Sequence, residues 1–157
     1  THLTFGYKFN QSVILPNSLT HLTFGHAFNQ SIILSNSLID LTFGYSFDQI
    51  VMLPNSLTYL TIDEFFNKNT EFSENLLFIK MVQPSIEMIE KLPNSVKKLS
   101  INFFDKNAFR LDNLPNSIEK LTIFDCYRNI FSVDWIMIPA SLKYLNINDQ
   151  EIQFKHV

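Results

Sequence analysis

The sequence predicts a mainly β fold, a parallel β solenoid of about eight coils with little helix. Three observations predict it. Leu3-Thr4-Phe5-Gly6 returns as Leu22-Thr23-Phe24-Gly25 and as Leu41-Thr42-Phe43-Gly44, each copy the same step after the last. A corner of the form Leu-Pro-Asn-Ser-Leu stands just before the strand in most copies. With 46% hydrophobic residues and 16 Phe the chain has ample apolar area for a continuous core, which excludes a disordered or collagen-like chain. Units this short bury their apolar side only against neighbours stacked above and below, so they coil rather than fold singly.

The first strand is set by Leu3 and Phe5, and its equivalents follow in order. Alternation points Leu22 and Phe24 inward and leaves His21, Thr23 and Gly25 facing solvent. The same spacing continues to Leu60-Thr61-Ile62. Asn75-Leu76-Leu77-Phe78-Ile79-Lys80-Met81 then fits onto Ser56 to Ile62 without a gap. Leu99-Ser100-Ile101, Leu121-Thr122-Ile123 and Leu145-Asn146-Ile147 follow Ile79 at steps that widen with each copy, so eight registers cover the chain. Periods of roughly 20 residues, with Leu-x-x-Leu-x-Phe or Leu-x-x-Leu-x-Ile at the strand, belong to the leucine-rich-repeat type of solenoid.

The corners are Leu15 to Leu19, Leu34 to Leu38, Leu53 to Leu57, Leu92 to Val96, Leu114 to Ile118 and Ile138 to Leu142. Pro fixes φ there and lacks an N–H, while Asn and Ser satisfy backbone groups locally, which makes each a turn feeding the next strand. After the strand, Phe9-Asn10-Gln11, Phe28-Asn29-Gln30, Phe47-Asp48-Gln49 and Phe66-Asn67-Lys68 recur. They are expected to stack four rings and to form an internal column of Asn and Asp that bridges the backbones of adjacent coils. The outer side of the short copies has room only for extended chain or a 3₁₀ turn, as through Val13-Ile14-Leu15. The longer copies have room for one helical turn, around Glu87 to Lys91 or Ser132 to Trp135. Residues 1–157 read as one solenoid domain. It begins inside a repeat, since Thr1-His2-Leu3 aligns with Thr20-His21-Leu22, and so reads as N-terminally truncated. Residues 148–157, polar and without a further corner, read as a C-terminal cap.

A net charge of −3 argues against a nucleic-acid footprint, and Lys97, Lys98 and Lys120 are the only local concentration of cations. No apolar run is long enough to span a bilayer, so no membrane partner is expected. The single Cys126 has no disulfide partner, which suits a reducing, cytoplasmic setting.

Three columns of side chains face solvent on the strand side. One reads Thr4, Thr23, Thr42, Thr61, Lys80, Ser100, Thr122 and Asn146, and another Gly6, Gly25, Gly44, Asp63, Val82, Asn102, Phe124 and Asn148. The column before the strand Leu or Ile varies most and carries His2, His21, Asp40, Tyr59, Phe78, Lys98, Lys120 and Tyr144. Structural positions in a repeat stay constant, so His21, Asp40, Tyr59, Phe78, Lys98, Lys120 and Tyr144 are the candidate partner-binding residues. Tyr59 and Phe78 are expected side by side beside cations, a combination typical of binding hot spots. Other sites are set aside. His2, His21 and Asp40 stack by virtue of the repeat and lack a fourth ligand, so neither a metal nor a cofactor is expected. The recurring corner serines are fold requirements rather than nucleophiles, and no enzyme is expected. Asn10-Gln11-Ser12 and Asn29-Gln30-Ser31 match the glycosylation pattern, but an internal Asn leaves no room for a glycan.

Leu15-Pro16-Asn17-Ser18-Leu19-Thr20-His21-Leu22-Thr23-Phe24-Gly25-His26-Ala27-Phe28-Asn29-Gln30 resembles the FNIP repeat, a leucine-rich-repeat relative found mainly in social amoebae and in giant viruses that infect amoebae. The match is specific over residues 1 to 59 and continues afterwards through corners and strand spacing. The resemblance implies a protein-interaction surface, often following an F-box that docks a substrate receptor onto a cullin ubiquitin ligase. The sequence thus points to non-enzymatic protein binding through the strand face. The alternative is a structural spacer, or a self-assembling element joined through its open N-terminal coil.

Overall fold

The computed structural model describes residues 1–103, 114–125 and 139–154. The repeated Leu-x-Phe and Leu-x-Ile segments form one sheet whose strands lie side by side in chain order. They are β1 (His2–Thr4), β2 (His21–Thr23), β3 (Asp40–Thr42), β4 (Tyr59–Ile62), β5 (Phe78–Val82), β6 (Lys98–Phe103), β7 (Lys120–Asp125), β8 (Tyr144–Ile147) and β9 (Gln150–Gln153). The pairs from β1 to β8 are parallel, and their register sets His2, His21, Asp40, Tyr59, Phe78, Lys98, Lys120 and Tyr144 in one line across the sheet. That is the alignment the spacing predicts, including the gapless fit of Ile79 onto Leu60. Eight parallel strands are separated by seven turns of chain, slightly fewer than the eight coils expected, and the five turns between β1 and β6 are described throughout. β9 pairs antiparallel with β8 and covers its outer edge.

Inside the coil the alternation is strict. Leu22, Phe24, Leu41, Phe43, Leu60, Ile62, Ile79, Met81, Leu99, Ile101, Leu121 and Ile123 are each no more than 1% exposed. Phe9, Phe28, Phe47 and Phe66 stack with ring centroids 6.1, 5.9 and 6.0 Å apart. Phe5, Phe24 and Phe43 form a second column at 5.2 and 5.6 Å, and Phe24 and Phe43 each lie 3.8 Å from the ring four residues later. Rings stacked from above, below and beside supply both burial and aromatic contact.

Each corner closes with a backbone bond from the residue after Ser to the residue at the Pro position, as from Leu19 N–H to the Pro16 carbonyl at 3.1 Å and from Val96 N–H to the Pro93 carbonyl at 3.1 Å. The corner serine also reaches across coils: Ser56, Ser95, Ser117 and Ser141 donate to the carbonyls of Leu38, Leu76, Val96 and Ile118 at 2.6 to 2.8 Å. This bond gives the recurring serines their structural reason. A corner that the sequence motif hides lies at Ser73-Glu74-Asn75-Leu76. There Leu76 N–H bonds the Ser73 carbonyl at 3.1 Å, and Asn75 Nδ2 donates to the Asn55 carbonyl at 2.9 Å in place of a serine hydroxyl.

One expectation needs correction. The column of Asn10, Asn29, Asp48 and Asn67 lies on the rim of the coil and not inside it, with Asn10 and Asp48 exposed and Asn29 and Asn67 half-buried. The neighbouring Phe takes the interior, and alternation turns the next side chain outward. The bridging itself is present. Asn29 N–H donates to Asn10 Oδ1 at 2.9 Å, Asp48 N–H to Asn29 Oδ1 at 3.2 Å, and Asn67 Nδ2 to the Asp48 carbonyl at 2.8 Å. The confinement expected to bar a glycan at Asn10 or Asn29 is therefore absent.

The outer side through Val13-Ile14-Leu15 carries no helix, 3₁₀ turn or strand. A single helical turn, α1 (Ile86–Glu90), falls at the expected place; Ser85 caps it by accepting from Met88 N–H, and Met88 and Ile89 bury its inner side. The other expected turn, Ser132 to Trp135, lies outside the described residues, as does Cys126.

Candidate protein-binding face

The strand side chains that do not enter the core lie on a broad sheet surface, and the variable column crosses it from β1 to β8. At its N-terminal end the His2 and His21 rings stack at 3.9 Å, and the Thr20 hydroxyl lies 2.9 Å from His21 Nδ1. Asp40 follows in register. In the middle, Tyr59 and Phe78 stand side by side with centroids 6.0 Å apart and planes tilted by 42°. Tyr59 is 45% exposed and Phe78 half-buried. Ile39 and Leu77, 40% and 44% exposed, lie one residue earlier in their coils and widen this centre into an apolar patch. Sequence reasoning missed them because their position reads as the end of the corner. The signal available was an apolar residue at a place where Thr20 and Thr58 stand in the flanking coils.

Towards β8 the face becomes cationic. Lys97, Lys98, Glu119, Lys120, Tyr144 and Glu151 surround a hollow of about 290 Å³. Lys98 of β6 and Lys120 of β7 are register partners. Lys120 Nζ sits 6.0 Å from the centre of the Tyr144 ring, and Gln153 Nε2 donates to the Tyr144 hydroxyl at 3.5 Å. Beside this pair the preceding column carries Lys97, Glu119 and Lys143. Lys143 Nζ donates to Glu119 at 2.7 Å, and Lys97 lies 4.0 Å from the same carboxylate. The hydrogen bond and charge of Lys143, with a smaller contribution from Lys97, hold the Glu119 carboxyl below the usual range for a glutamate.

The sheet thus brings Tyr59 and Phe78 together at its centre and Lys98, Lys120 and Tyr144 together at one hollow, while His21 and Asp40 lie towards the other end. Among the described residues no group of three His, Cys, Asp or Glu is placed to hold a metal, and no helix is long and apolar enough to cross a membrane. Two further exposed columns lie off the strand face. Ile14, Ile33 and Met52, 98%, 90% and 90% exposed, line the outer side. The rings of Tyr7, His26, Tyr45 and Phe65 form a ladder with centroids 4.6, 4.9 and 4.8 Å apart.

A coil of short parallel strands with one variable column on an open sheet defines a repeat solenoid of the kind that commonly serves as an interaction scaffold. Residues 1–27 and 28–65 match the family model of the FNIP repeat, so the N-terminal part of the chain is similar to FNIP repeats. No curated protein matches the chain. A solved structure described as that of CroV588, a novel circular LRR protein, is 26% identical and aligns over 94% of this chain with a TM-score of 0.37. The chain spans about a third of that protein, 33% of its length.

Proposed function

We propose that the chain is a non-enzymatic protein-interaction module that binds a partner through its strand face, at His21, Asp40, Tyr59, Phe78, Lys98, Lys120 and Tyr144. The observation that carries this reading is the contrast between columns. Thr recurs in the neighbouring column of the same face, where β-branched residues serve the sheet. The column with no such constraint sets exposed Tyr59 and half-buried Phe78 side by side, and next to them Lys98 and Lys120 at a hollow with Tyr144. The family resemblance makes the substrate-recognition part of a ubiquitin-ligase receptor the setting for such a module, in the host or cellular cytoplasm. In this reading residues 1–157 act as one domain and the segment from 148 onward caps it.

Affinity capture from an amoebal lysate tests the reading, with the wild-type chain and a Tyr59→Ala, Phe78→Ala, Lys98→Ala variant as baits. A protein held by the wild type and lost by an equally stable variant supports it. The same proteins held by both baits contradict it. A spacer or self-assembling element is the second reading. It predicts concentration-dependent association that the triple variant leaves unchanged.

A further inference from the structure

We propose that the β5 to β8 part of the strand face takes an extended acidic peptide segment of a partner protein. Its carboxylates sit over Lys98 and Lys120, and an apolar side chain of the same segment packs on Phe78 and Leu77. The proposal rests on the strand face being the recognition surface and names the chemistry of what it recognises.

The first reason is an electrostatic cost that the fold leaves in place. Lys98 and Lys120 are direct cross-strand neighbours, and like charges in that relation repel. Among the described residues no carboxylate lies within ion-pair distance of Lys98, Lys120 or Lys80. The means of relief is present one column away, where Glu119 sits between Lys97 and Lys143. A carboxylate at either position of the variable column would settle the same repulsion, and two lysines stand there instead. An anionic ligand removes the repulsion on binding, so its affinity includes that release.

Shape is the second reason. The hollow of about 290 Å³ opens between these lysines and Tyr144 and adjoins the apolar patch, since Phe78 is the register partner of Lys98. Neighbouring strands are about 4.8 Å apart, so Phe78 and Lys120 are separated by roughly 10 Å across the face. Extended chain advances about 3.3 Å per residue, which places the ligand's apolar side chain about three residues from the farther of its two acids and one to two from the nearer. Glu151 lines the β9 side of the hollow and repels a longer run of acids there. That rim, together with a net charge of −3, sets a short acidic segment apart from a polyanion such as nucleic acid.

Fluorescence anisotropy with labelled 12-residue peptides tests the proposal. The peptides carry Leu-Phe and then Glu-Glu, separated by one to six residues on a Gly-Ser background. Counterparts carry Gln-Gln or Lys-Lys, and a single-stranded oligonucleotide serves as the polyanion probe. The expected result is tightest binding at a spacing of one or two, at least tenfold weakening for Gln-Gln, and further weakening in 500 mM salt. Lys98→Glu with Lys120→Glu should transfer the preference to Lys-Lys, and Lys98→Gln with Lys120→Gln should abolish the charge preference. Thermal unfolding of both variants checks that the fold is kept. Equal binding of Glu-Glu and Gln-Gln peptides, tighter binding of the oligonucleotide, or no binding to any peptide overturns the proposal. A captured partner that needs Tyr59 and Phe78 yet survives Lys98→Glu with Lys120→Glu overturns the acidic segment alone and leaves the strand-face reading standing.

Discussion

From β1 to β3 the strands are three residues long and glycine follows two residues after the last of them; from β5 to β7 they lengthen to five and six residues and the glycines are gone. The difference has a steric origin. A Cβ on Gly25 would run into the Gly6 carbonyl, and one on Gly44 into the Gly25 carbonyl, so each coil bends directly over the backbone of the one before. The early coils are held by that close approach and by two columns of Phe. In the later coils Val82, Asn102 and Phe124 continue the sheet instead of bending, and Met81, Ile101 and Ile123 fill the interior where Phe24 and Phe43 stood. A longer perimeter and a longer strand give the later half a broader face, and the cationic hollow lies there. Uniform repetition builds the support, and departure from it opens the broader face on which recognition is proposed.

The comparison breaks most sharply at the aromatic column. Phe28→Ala removes a ring touched from three sides and should cost about 3–5 kcal/mol in urea unfolding. Met81→Leu, in the later half, conserves volume and should cost less than about 1.5 kcal/mol. If the two changes cost the same, the early coils do not depend on ring stacking. Gly25→Ala comes next, at roughly 1–3 kcal/mol, because the neighbour it meets is backbone and not a side chain. Asn102→Ala at the equivalent later position should be within about 1 kcal/mol of wild type.

A smaller effect is expected on the rim. Asn29→Leu deprives the Asp48 N–H and Gln49 of their acceptor. Solvent is close enough to replace part of the loss, so a drop of about 1 kcal/mol is expected in thermal or urea unfolding. The smallest effect is the Glu119 pair. Its folded-state pKa is lowered, so the pair adds stability above the ordinary value of 4.5 and loses it as the pH falls through the depressed pKa. The difference between wild type and Glu119→Gln should therefore be constant near neutrality and close below about pH 4.5. A difference that widens in acid would show that Lys143 and Lys97 do not hold the charged form.

Much of this molecule was legible in its sequence because repetition repeats the same physics. The step from Leu60 to Ile79 gave the β4 to β5 register despite little local similarity, and the variable column came out in line across all eight parallel strands. What spacing could not convey was depth. It placed the Asn column inside the coil, yet one residue past a buried Phe already lies at the rim, and only the curvature of the turn decides that. Ile39 and Leu77 escaped for a related reason: the end of a corner and the start of a face are the same residue. The corner at Ser73 escaped because Glu74 and Asn75 replace the Asn and Ser of the motif while the backbone bond stays the same. Charge pairing was equally hidden, since Lys97, Glu119 and Lys143 belong to three successive coils and meet only across strands.

Three exposed surfaces compete for the role of docking site: the strand face, the outer ridge of Ile14, Ile33 and Met52, and the ladder of Tyr7, His26, Tyr45 and Phe65. Backbone amide shifts of the ¹⁵N-labelled chain, recorded as a captured partner is added, separate them most directly. The largest changes should fall at Tyr59, Phe78, Lys98, Lys120 and Tyr144, with the outer side and the ladder unmoved. Changes centred on Ile14, Ile33 and Met52 or on the ladder, with the strand face silent, would contradict the assignment of recognition to the variable column.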